Sequence, residues 1–206
     1  MLLEAKKYRF GAVAILPSAI PLAREVLKGS GVKIVAAIGF PLGTIPPELK
    51  IDEAEKAIKD GADELDVVMN KGALKQGKIE DVKKEIKGIV NLADGKVVKV
   101  IIEVPYLNRK EIELACNLII GCGAHFVKTS TGFKGFHKWR PTTVDDIKLI
   151  KSIVKDRIRI KASGGIRTAG QALAVIGAGA DRIGTSSGVQ IIEGYRRMMG
   201  VNSNEC

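Results

Sequence analysis

Two lysines and one aspartate lie inside short apolar segments, where a charged side chain is hardest to accommodate. Lys128 stands in the segment F-V-K-T-S, Lys161 in R-I-K-A-S-G-G and Asp66 in E-L-D-V-V. A single lysine of this kind is most often structural, with a solvated head on a buried stem. Burial or a second cation, however, favours the neutral amine that attacks a carbonyl and forms a Schiff base. Together the three residues predict a nucleophile, a neighbouring cation and a proton carrier.

A further charged pair is predicted on the strand that contains V-V-K-V-I-I-E. Lys99 and Glu103 are four residues apart, so the period of two places them on the same strand face. We expect an inward-facing ion pair that supports the site.

Two glycine-rich segments precede predicted helices near the end of the chain, S-G-G-I-R-T and G-T-S-S-G. Glycine-rich turns that open a helix present backbone N–H groups to anions, and the last loops of parallel barrels commonly bind phosphate. Glycine also ends strands for steric reasons, so either segment alone is weak evidence. The predicted phosphate-binding residues are Gly164, Gly165, Arg167, Gly184, Ser186, Ser187 and Gly132.

Apolar strand segments alternate with amphipathic helical segments along the whole chain. The predicted strands are 12–16, 33–39, 64–69, 97–104, 126–130, 159–162 and 181–185, and the loop 70–77 follows the third. The predicted helices are 18–28, 48–60, 79–92, 110–122, 143–155, 168–176 and 189–199, preceded by a helix end at 1–8. This alternation indicates parallel strands joined by right-handed crossovers, with functional residues at the carboxyl ends of the strands.

The strand count predicts an incomplete barrel. A (β/α)8 TIM barrel has eight strands, and we count seven in this α/β chain, which opens on the helix that should follow a first strand. We therefore expect a TIM barrel that lacks its first β-strand. A single barrel domain is predicted over residues 1–199, and a disordered tail over 200–206.

Composition excludes several classes of protein. An apolar content of 46% and a charged content of 27% are typical of a globular domain, and no apolar run reaches the length of a membrane span. The three cysteines and two histidines show no metal-ligand spacing, so no metal site is expected and a reducing cytoplasm fits. The net charge of +10 is spread over helix faces and aromatic content is 4%, so we do not expect a nucleic-acid partner.

Five motifs together resemble those of the deoxyribose-phosphate aldolase family. They are V-K-T-S-T-G-F (127–133), K-A-S-G-G-I-R-T (161–168), E-L-D-V-V-M-N (64–70), I-G-F-P-L-G (38–43) and R-I-G-T-S-S-G (182–188). The resemblance extends over residues 12–192. Short pieces such as A-S-G-G-I occur in other phosphate-binding barrels, but the whole set in this order is specific.

The resemblance implies a class I aldolase, a lyase that acts without metal or other cofactor. Its reaction would be the reversible cleavage of 2-deoxy-D-ribose 5-phosphate into D-glyceraldehyde 3-phosphate and acetaldehyde, in a cytoplasmic homo-oligomer, dimer or tetramer. By position, Lys128 would form the Schiff base, Lys161 would be the cation that keeps it neutral, and Asp66 would relay protons through water. The family's first strand, which reads like Asp-His-Thr-x-Leu, has no counterpart in residues 1–10. Either the true start lies upstream or this is a shortened member whose open edge is covered, for example by a partner subunit.

Two other functions remain open at this stage. An isomerase or synthase of the phosphate-binding barrel type needs similar loops and no Schiff-base lysine. A truncated barrel could instead be a binding module for an anionic polymer, given the net charge of +10.

Overall fold

Seven parallel strands form one curled sheet in which each strand lies beside its neighbours in sequence. The computed structural model describes residues 1–135 and 139–200, and within them the predicted count of seven strands is confirmed. The strands are β1 (Ala12–Ile15), β2 (Lys33–Ile38), β3 (Glu64–Val68), β4 (Val97–Ile101), β5 (Phe126–Lys128), β6 (Arg159–Ser163) and β7 (Arg182–Gly184). Residues 201–206 of the predicted tail lie outside the described residues, and the single-domain assignment stays a prediction.

Helices connect successive strands and cover the outer face of the sheet. They are α1 (Leu2–Lys7), α2 (Ile20–Leu27), α3 (Pro47–Asp60), α4 (Lys71–Lys75), α5 (Ile79–Leu92), α6 (Arg109–Gly121), α7 (Val144–Val154), α8 (Ala169–Gly177) and α9 (Gly188–Met198). Over the described ranges, no helix has the length and apolar character needed to cross a membrane.

Two local expectations were wrong. The predicted loop 70–77 contains α4, because the Asn70 side chain accepts a hydrogen bond from the Ala73 N–H (3.0 Å) and caps this short helix. The fourth strand ends at Ile101, three residues before the predicted end. Glu103 adopts a left-handed backbone conformation there, and the chain turns into a 3-10 helix, Val104–Tyr106.

The central strands are buried on both faces, as a parallel sheet covered by helices requires. All five residues of β3 are buried, and helices α3 and α5 pack apolar residues such as Ala57 and Ile89 into the core. The inner face of the curled sheet is different, because it carries charged side chains. Glu64 and Asp66 alternate with Leu65 along β3, so both carboxylates point to that inner face.

The two edge strands are less covered than the rest of the sheet. Every residue of β7 is half-buried, and Ala14 of β1 is exposed. A cavity of about 390 Å³, here called the side cavity, lies between these edges and is lined by Phe10, Ala14, Ile183 and Ile191 among others. In the described ranges no further strand lies between β1 and β7. The expected gap in the barrel wall is therefore present, and the inner face is open from this side.

Candidate active site

Asp66 is the centre of a buried cluster of lysines. Its Oδ2 atom accepts hydrogen bonds from Lys128 Nζ (2.6 Å) and Lys161 Nζ (2.7 Å), and Lys99 Nζ lies 2.9 Å from Oδ1. The sheet register explains this convergence, because Asp66 is paired with Lys99 across β3 and β4, and Lys128 with Lys161 across β5 and β6. The structure thus brings together the three residues that the sequence analysis singled out, and it places Lys99, which was predicted to pair with Glu103, in the same cluster.

The cluster continues from Lys99 toward the opposite end of the sheet. Lys99 Nζ lies 2.7 Å from Glu64 Oε2, and Arg182 donates to the same oxygen from the other side (2.5 Å). The prediction of an ion pair between Lys99 and Glu103 is wrong. The left-handed turn after β4 directs Glu103 toward the loop after β5, and its carboxylate accepts a hydrogen bond from the Thr131 N–H.

Burial and mutual repulsion change the ionisation of these groups. Burial alone would raise the pKa of Asp66, but Lys128, Lys161 and Lys99 hold it well below its usual range. Burial and the two neighbouring ammonium groups lower the pKa of Lys161 to about 8, against the opposite effect of Asp66. Burial likewise opposes ionisation of Glu64, but hydrogen bonds from Arg182 and Lys99 lower its pKa to about 2. The lysine cluster therefore contains an amine that exchanges its proton near neutral pH.

Lys128 and Lys161 reach a cavity of about 350 Å³ at the carboxyl ends of the strands, here called the lysine cavity. Both lysines are buried, with exposed fractions of 7% and 5%. Asp66 lies behind them and is fully buried. An electrophile in the cavity would meet the two amines first, while the carboxylate is shielded from solvent.

Hydroxyl groups fix the strand ends that carry the two lysines. Thr129 Oγ1 donates to the Ser163 carbonyl oxygen (2.8 Å) and accepts from the Ser163 N–H (2.9 Å). Thr142 Oγ1 donates to that carbonyl oxygen (2.5 Å), and Ser163 Oγ donates to the Ser130 carbonyl oxygen (2.5 Å). All four residues are buried, so these contacts hold β5 and β6 in a fixed relation beside the amines.

Most of the predicted phosphate-binding residues line the lysine cavity. They are Gly132, Gly164, Gly165, Arg167, Gly184 and Ser186. Ser187 is not among the described lining residues; its N–H donates to Thr185 Oγ1 (2.9 Å). Gly164 and Gly165 have φ angles of +97° and +80°, and an added Cβ would lie 2.9 Å from Ser130 Cβ and 2.7 Å from Pro141 Cβ, respectively. Only glycine fits this turn without displacing its neighbours.

The two helix N-termini behind these loops differ. At α8, Thr168 and Gln171 form a capping box, in which Thr168 Oγ1 accepts from the Gln171 N–H and Gln171 Oε1 accepts from the N–H groups of Arg167 and Thr168. At α9, the N-cap residue Ser187 makes no side-chain capping hydrogen bond. The first turn of α9 therefore begins without a side-chain acceptor for its backbone N–H groups.

Sequence reasoning missed several residues of the site. Glu64 is an almost completely buried partner of the cluster, Lys99 was predicted near the site but with Glu103 as its partner, and Phe40, Lys134 and Trp139 line the cavity. The signal for the first two was present, because a charged residue inside an apolar strand must find a partner. The cavity-lining residues belong to loops and have no periodic pattern. Among the described residues no group of three or more His, Cys, Asp or Glu side chains could hold a metal ion.

Comparison with known proteins gives a consistent family. The sequence profile described as DeoC/LacD family aldolase matches residues 4–194. The chain is 51% identical over 197 residues to the deoxyribose-phosphate aldolase of Thermococcus gammatolerans, covering 94% of this chain and 86% of that protein. The structure resembles an aldolase called QR15, with a TM-score of 0.90, 44% identity and coverage of 96% and 88%. It also resembles the tetrameric deoxyribose phosphate aldolase of Aeropyrum pernix, with a TM-score of 0.86, 38% identity and coverage of 96% and 82%.

Proposed function

The chain belongs to the DeoC/LacD family of aldolases, and we propose that it reversibly cleaves 2-deoxy-D-ribose 5-phosphate into D-glyceraldehyde 3-phosphate and acetaldehyde. The observation that carries this proposal is the meeting of two cavity-lining amines on one buried carboxylate, with Lys128 and Lys161 both bonded to Asp66 Oδ2. An isomerase that used only the phosphate loops would have no use for such a cluster.

The bond-making steps follow from an amine and a carboxylate beside an aldehyde. The Lys128 amine attacks C1 of the open-chain sugar, and loss of water gives the iminium form of the Schiff base. Removal of the C3 hydroxyl proton by Asp66, through a water molecule, lets the C3 oxygen form a carbonyl as the C2–C3 bond breaks. The C3–C5 fragment leaves as D-glyceraldehyde 3-phosphate, and the electron pair of the broken bond moves into the iminium to form an enamine. Lys161 then returns a proton to C2, and hydrolysis releases acetaldehyde and restores the amine.

The two lysines receive different roles because their surroundings differ. The pKa of Lys161 is about 8, close to neutrality, which suits a group that gives and takes protons in each cycle. Lys161 also lines both the lysine cavity and the side cavity, whereas Lys128 belongs to the wall of the former. We therefore assign the covalent intermediate to Lys128 and proton transfer to Lys161 together with Asp66.

The phosphate group is proposed to bind at the far end of the lysine cavity. The backbone N–H groups proposed to bind it are those of Gly164, Gly165 and Ser186, which line the cavity. The guanidinium of Arg167, which also lines the cavity, supplies a positive charge. Helix α9 begins two residues after the cavity-lining Ser186 and has no side-chain cap, so its first backbone N–H groups have no side-chain acceptor that would compete with an anion. If 2-deoxyribose were cleaved as efficiently as its 5-phosphate, this part of the proposal would be wrong.

We further propose that the chain works as a homo-oligomer. Support comes from the tetrameric relative of Aeropyrum pernix, which shares the fold over 96% of this chain. Light scattering on the purified protein should give a mass larger than that of one chain. A monomer at micromolar concentration would contradict this expectation.

Borohydride trapping tests the covalent step directly. Incubation with acetaldehyde and borohydride should add one ethyl group to the protein, and peptide mapping should place it on Lys128. The variant K128R keeps the charge and should not be labelled, whereas K161R should still be labelled, at a lower rate. Label on Lys161 would reverse the two roles, and a lack of label in the parent protein would favour the isomerase alternative.

A further inference from the structure

Glu103 is a buried carboxylate in an unfavourable backbone conformation. Its exposed fraction is 3%, and its φ and ψ angles of 58° and 62° are left-handed. Residues other than glycine, asparagine and aspartate rarely adopt this conformation, and such residues cluster at functional sites. Glycine would adopt this left-handed conformation without strain. We therefore expect the glutamate side chain to make an interaction that offsets the strain of its backbone.

The Glu103 carboxylate holds the loop that follows Lys128. It accepts a hydrogen bond from the Thr131 N–H. This bond continues a ladder between the same two segments, because the Ile102 N–H donates to the Lys128 carbonyl oxygen (3.0 Å) and the Val104 N–H to the Thr129 carbonyl oxygen (2.9 Å). The Glu103 side chain thus adds a third hydrogen bond to the two backbone bonds that fix the end of β5.

Glu103 forms no ion pair with any residue in the described part of the chain. Lys71 is close enough to act on it electrostatically, but Lys71 Nζ donates to the Leu42 carbonyl oxygen (3.0 Å). A buried carboxylate without a cationic partner is costly unless hydrogen bonds compensate it. Among the residues that the structure describes, the Thr131 N–H is the hydrogen-bond donor to this carboxylate, and a charge-assisted bond of this kind is stronger than a neutral one.

The loop that Glu103 holds forms part of the cavity wall and packs against the glycine turn. Thr131 and Gly132 line the lysine cavity, and a Cβ built on Gly132 would lie 3.9 Å from Gly164 Cα. A shift of this loop would change the space between Gly132 and Gly164 without moving Lys128, which the sheet hydrogen bonds retain.

We propose that Glu103 is a positioning residue, whose carboxylate anchors Thr131 so that the loop 131–133 stays packed against the glycine turn and the two segments together form the wall that receives the phosphate-bearing end of the substrate. This inference rests on the proposed aldolase function. It predicts that Glu103 acts on substrate affinity rather than on the reactivity of Lys128.

Two variants and one control separate this role from a merely structural one. E103Q keeps an oxygen that can accept from the Thr131 N–H but removes the charge. E103G removes the anchor and also relieves the left-handed strain, so its thermal midpoint should be no lower than that of E103A. The control E113Q neutralises an exposed glutamate on α6 and should behave like the parent protein.

The expected result is a change in KM for the phosphorylated substrate. KM should rise about tenfold or more in E103G and less in E103Q, with kcat within about threefold of the parent value, since a bond to a charged group has been lost or weakened. The rate of borohydride trapping with acetaldehyde alone should stay the same, because this small aldehyde does not reach the loop.

Three results would overturn the inference: an unchanged KM in E103G, no difference between E103G and E103Q, or a parallel loss of acetaldehyde trapping. Failure of the proposed function is distinguishable, because in that case the parent protein itself would not be trapped.

Discussion

Replacing Lys99 by methionine tests whether the buried charges stabilise the fold. Lys99 is fully buried, and its Nζ atom lies 2.7 Å from Glu64 Oε2 and 2.9 Å from Asp66 Oδ1. Methionine has a similar length and no charge, so K99M leaves both buried carboxylates with one cation fewer. Removing one partner of a buried ion pair costs about 3–5 kcal/mol when the charge that remains is uncompensated. Here Arg182 still bonds to Glu64, and Lys128 and Lys161 still bond to Asp66, so the lower end of that range applies. We expect K99M to lose that much free energy of unfolding at pH 7.

The pH dependence of this loss follows from Glu64. Its pKa is about 2 in the folded protein against an ordinary value of 4.5, because hydrogen bonds from Arg182 and Lys99 outweigh burial. This difference stabilises the fold by roughly 3 kcal/mol above pH 4.5, and the contribution is lost as pH falls toward 2. In K99M the pKa of Glu64 rises, so the contribution shrinks and the midpoint of acid unfolding moves to a higher pH.

Urea unfolding at pH 7, followed by circular dichroism, measures the free energy. The double variant E64Q/K99M should be less destabilised than the sum of the two single variants, because it removes both members of the pair. The control K56M breaks an exposed pair with Asp60 and should lose less than about 1 kcal/mol. Additive single effects, or a loss in K99M no greater than in K56M, would refute the reasoning.

Two other predictions concern the catalytic lysine pair and the glycine turn. Because the pKa of Lys161 is about 8, kcat/KM should fall above that pH as Lys161 loses the proton it must donate. The guanidinium of K161R does not release its proton, so this variant should lose most of the activity, and its residual activity should lack this limb in a pH–rate profile from pH 6 to 10. A profile of K161R with the parent's limb would assign the ionisation to another group. G165A introduces a Cβ at a φ of +80° and 2.7 Å from Pro141 Cβ, so it should lose about 1–3 kcal/mol of stability by urea unfolding. The matched variant G170A, at a helical position with nothing within 4 Å of the added Cβ, should gain about 0.5–1 kcal/mol, and equal effects of the two would contradict the argument.

The order of elements was predictable from the sequence because each is set by local periodicity. Seven apolar strand segments alternate with amphipathic helices, and the parallel order β1 to β7 follows from that alternation. The family and the barrel-like architecture are also confirmed. The predictions failed where a single side chain decided the conformation. Asn70 caps a helix that propensity did not indicate, and Glu103 ends β4 by turning the chain into a left-handed conformation.

The sequence predicted which charged residues form the centre of the site, but only some of the contacts between them. Lys128, Lys161 and Asp66 were identified because charged residues in apolar strands are rare, and the structure places all three together. Their chemical roles, and those of the phosphate-binding residues, stay predictions until trapping and kinetics test them. Ser187 was expected at the phosphate but is not among the described residues of the cavity wall.

The sequence by itself determined which residues carry charge into the interior and at which strand they do so, because alternation along one strand is a local property. Only the tertiary structure decided which charges meet. Asp66 and its two lysines are 62 and 95 residues apart in sequence, and their contact depends on the register and curl of the sheet. The same long-range geometry pairs Lys99 with Glu64 and Asp66, whereas Glu103 accepts a hydrogen bond from the Thr131 N–H. A pattern of period two cannot distinguish these partners, since it fixes the face of a strand and not the neighbour across it.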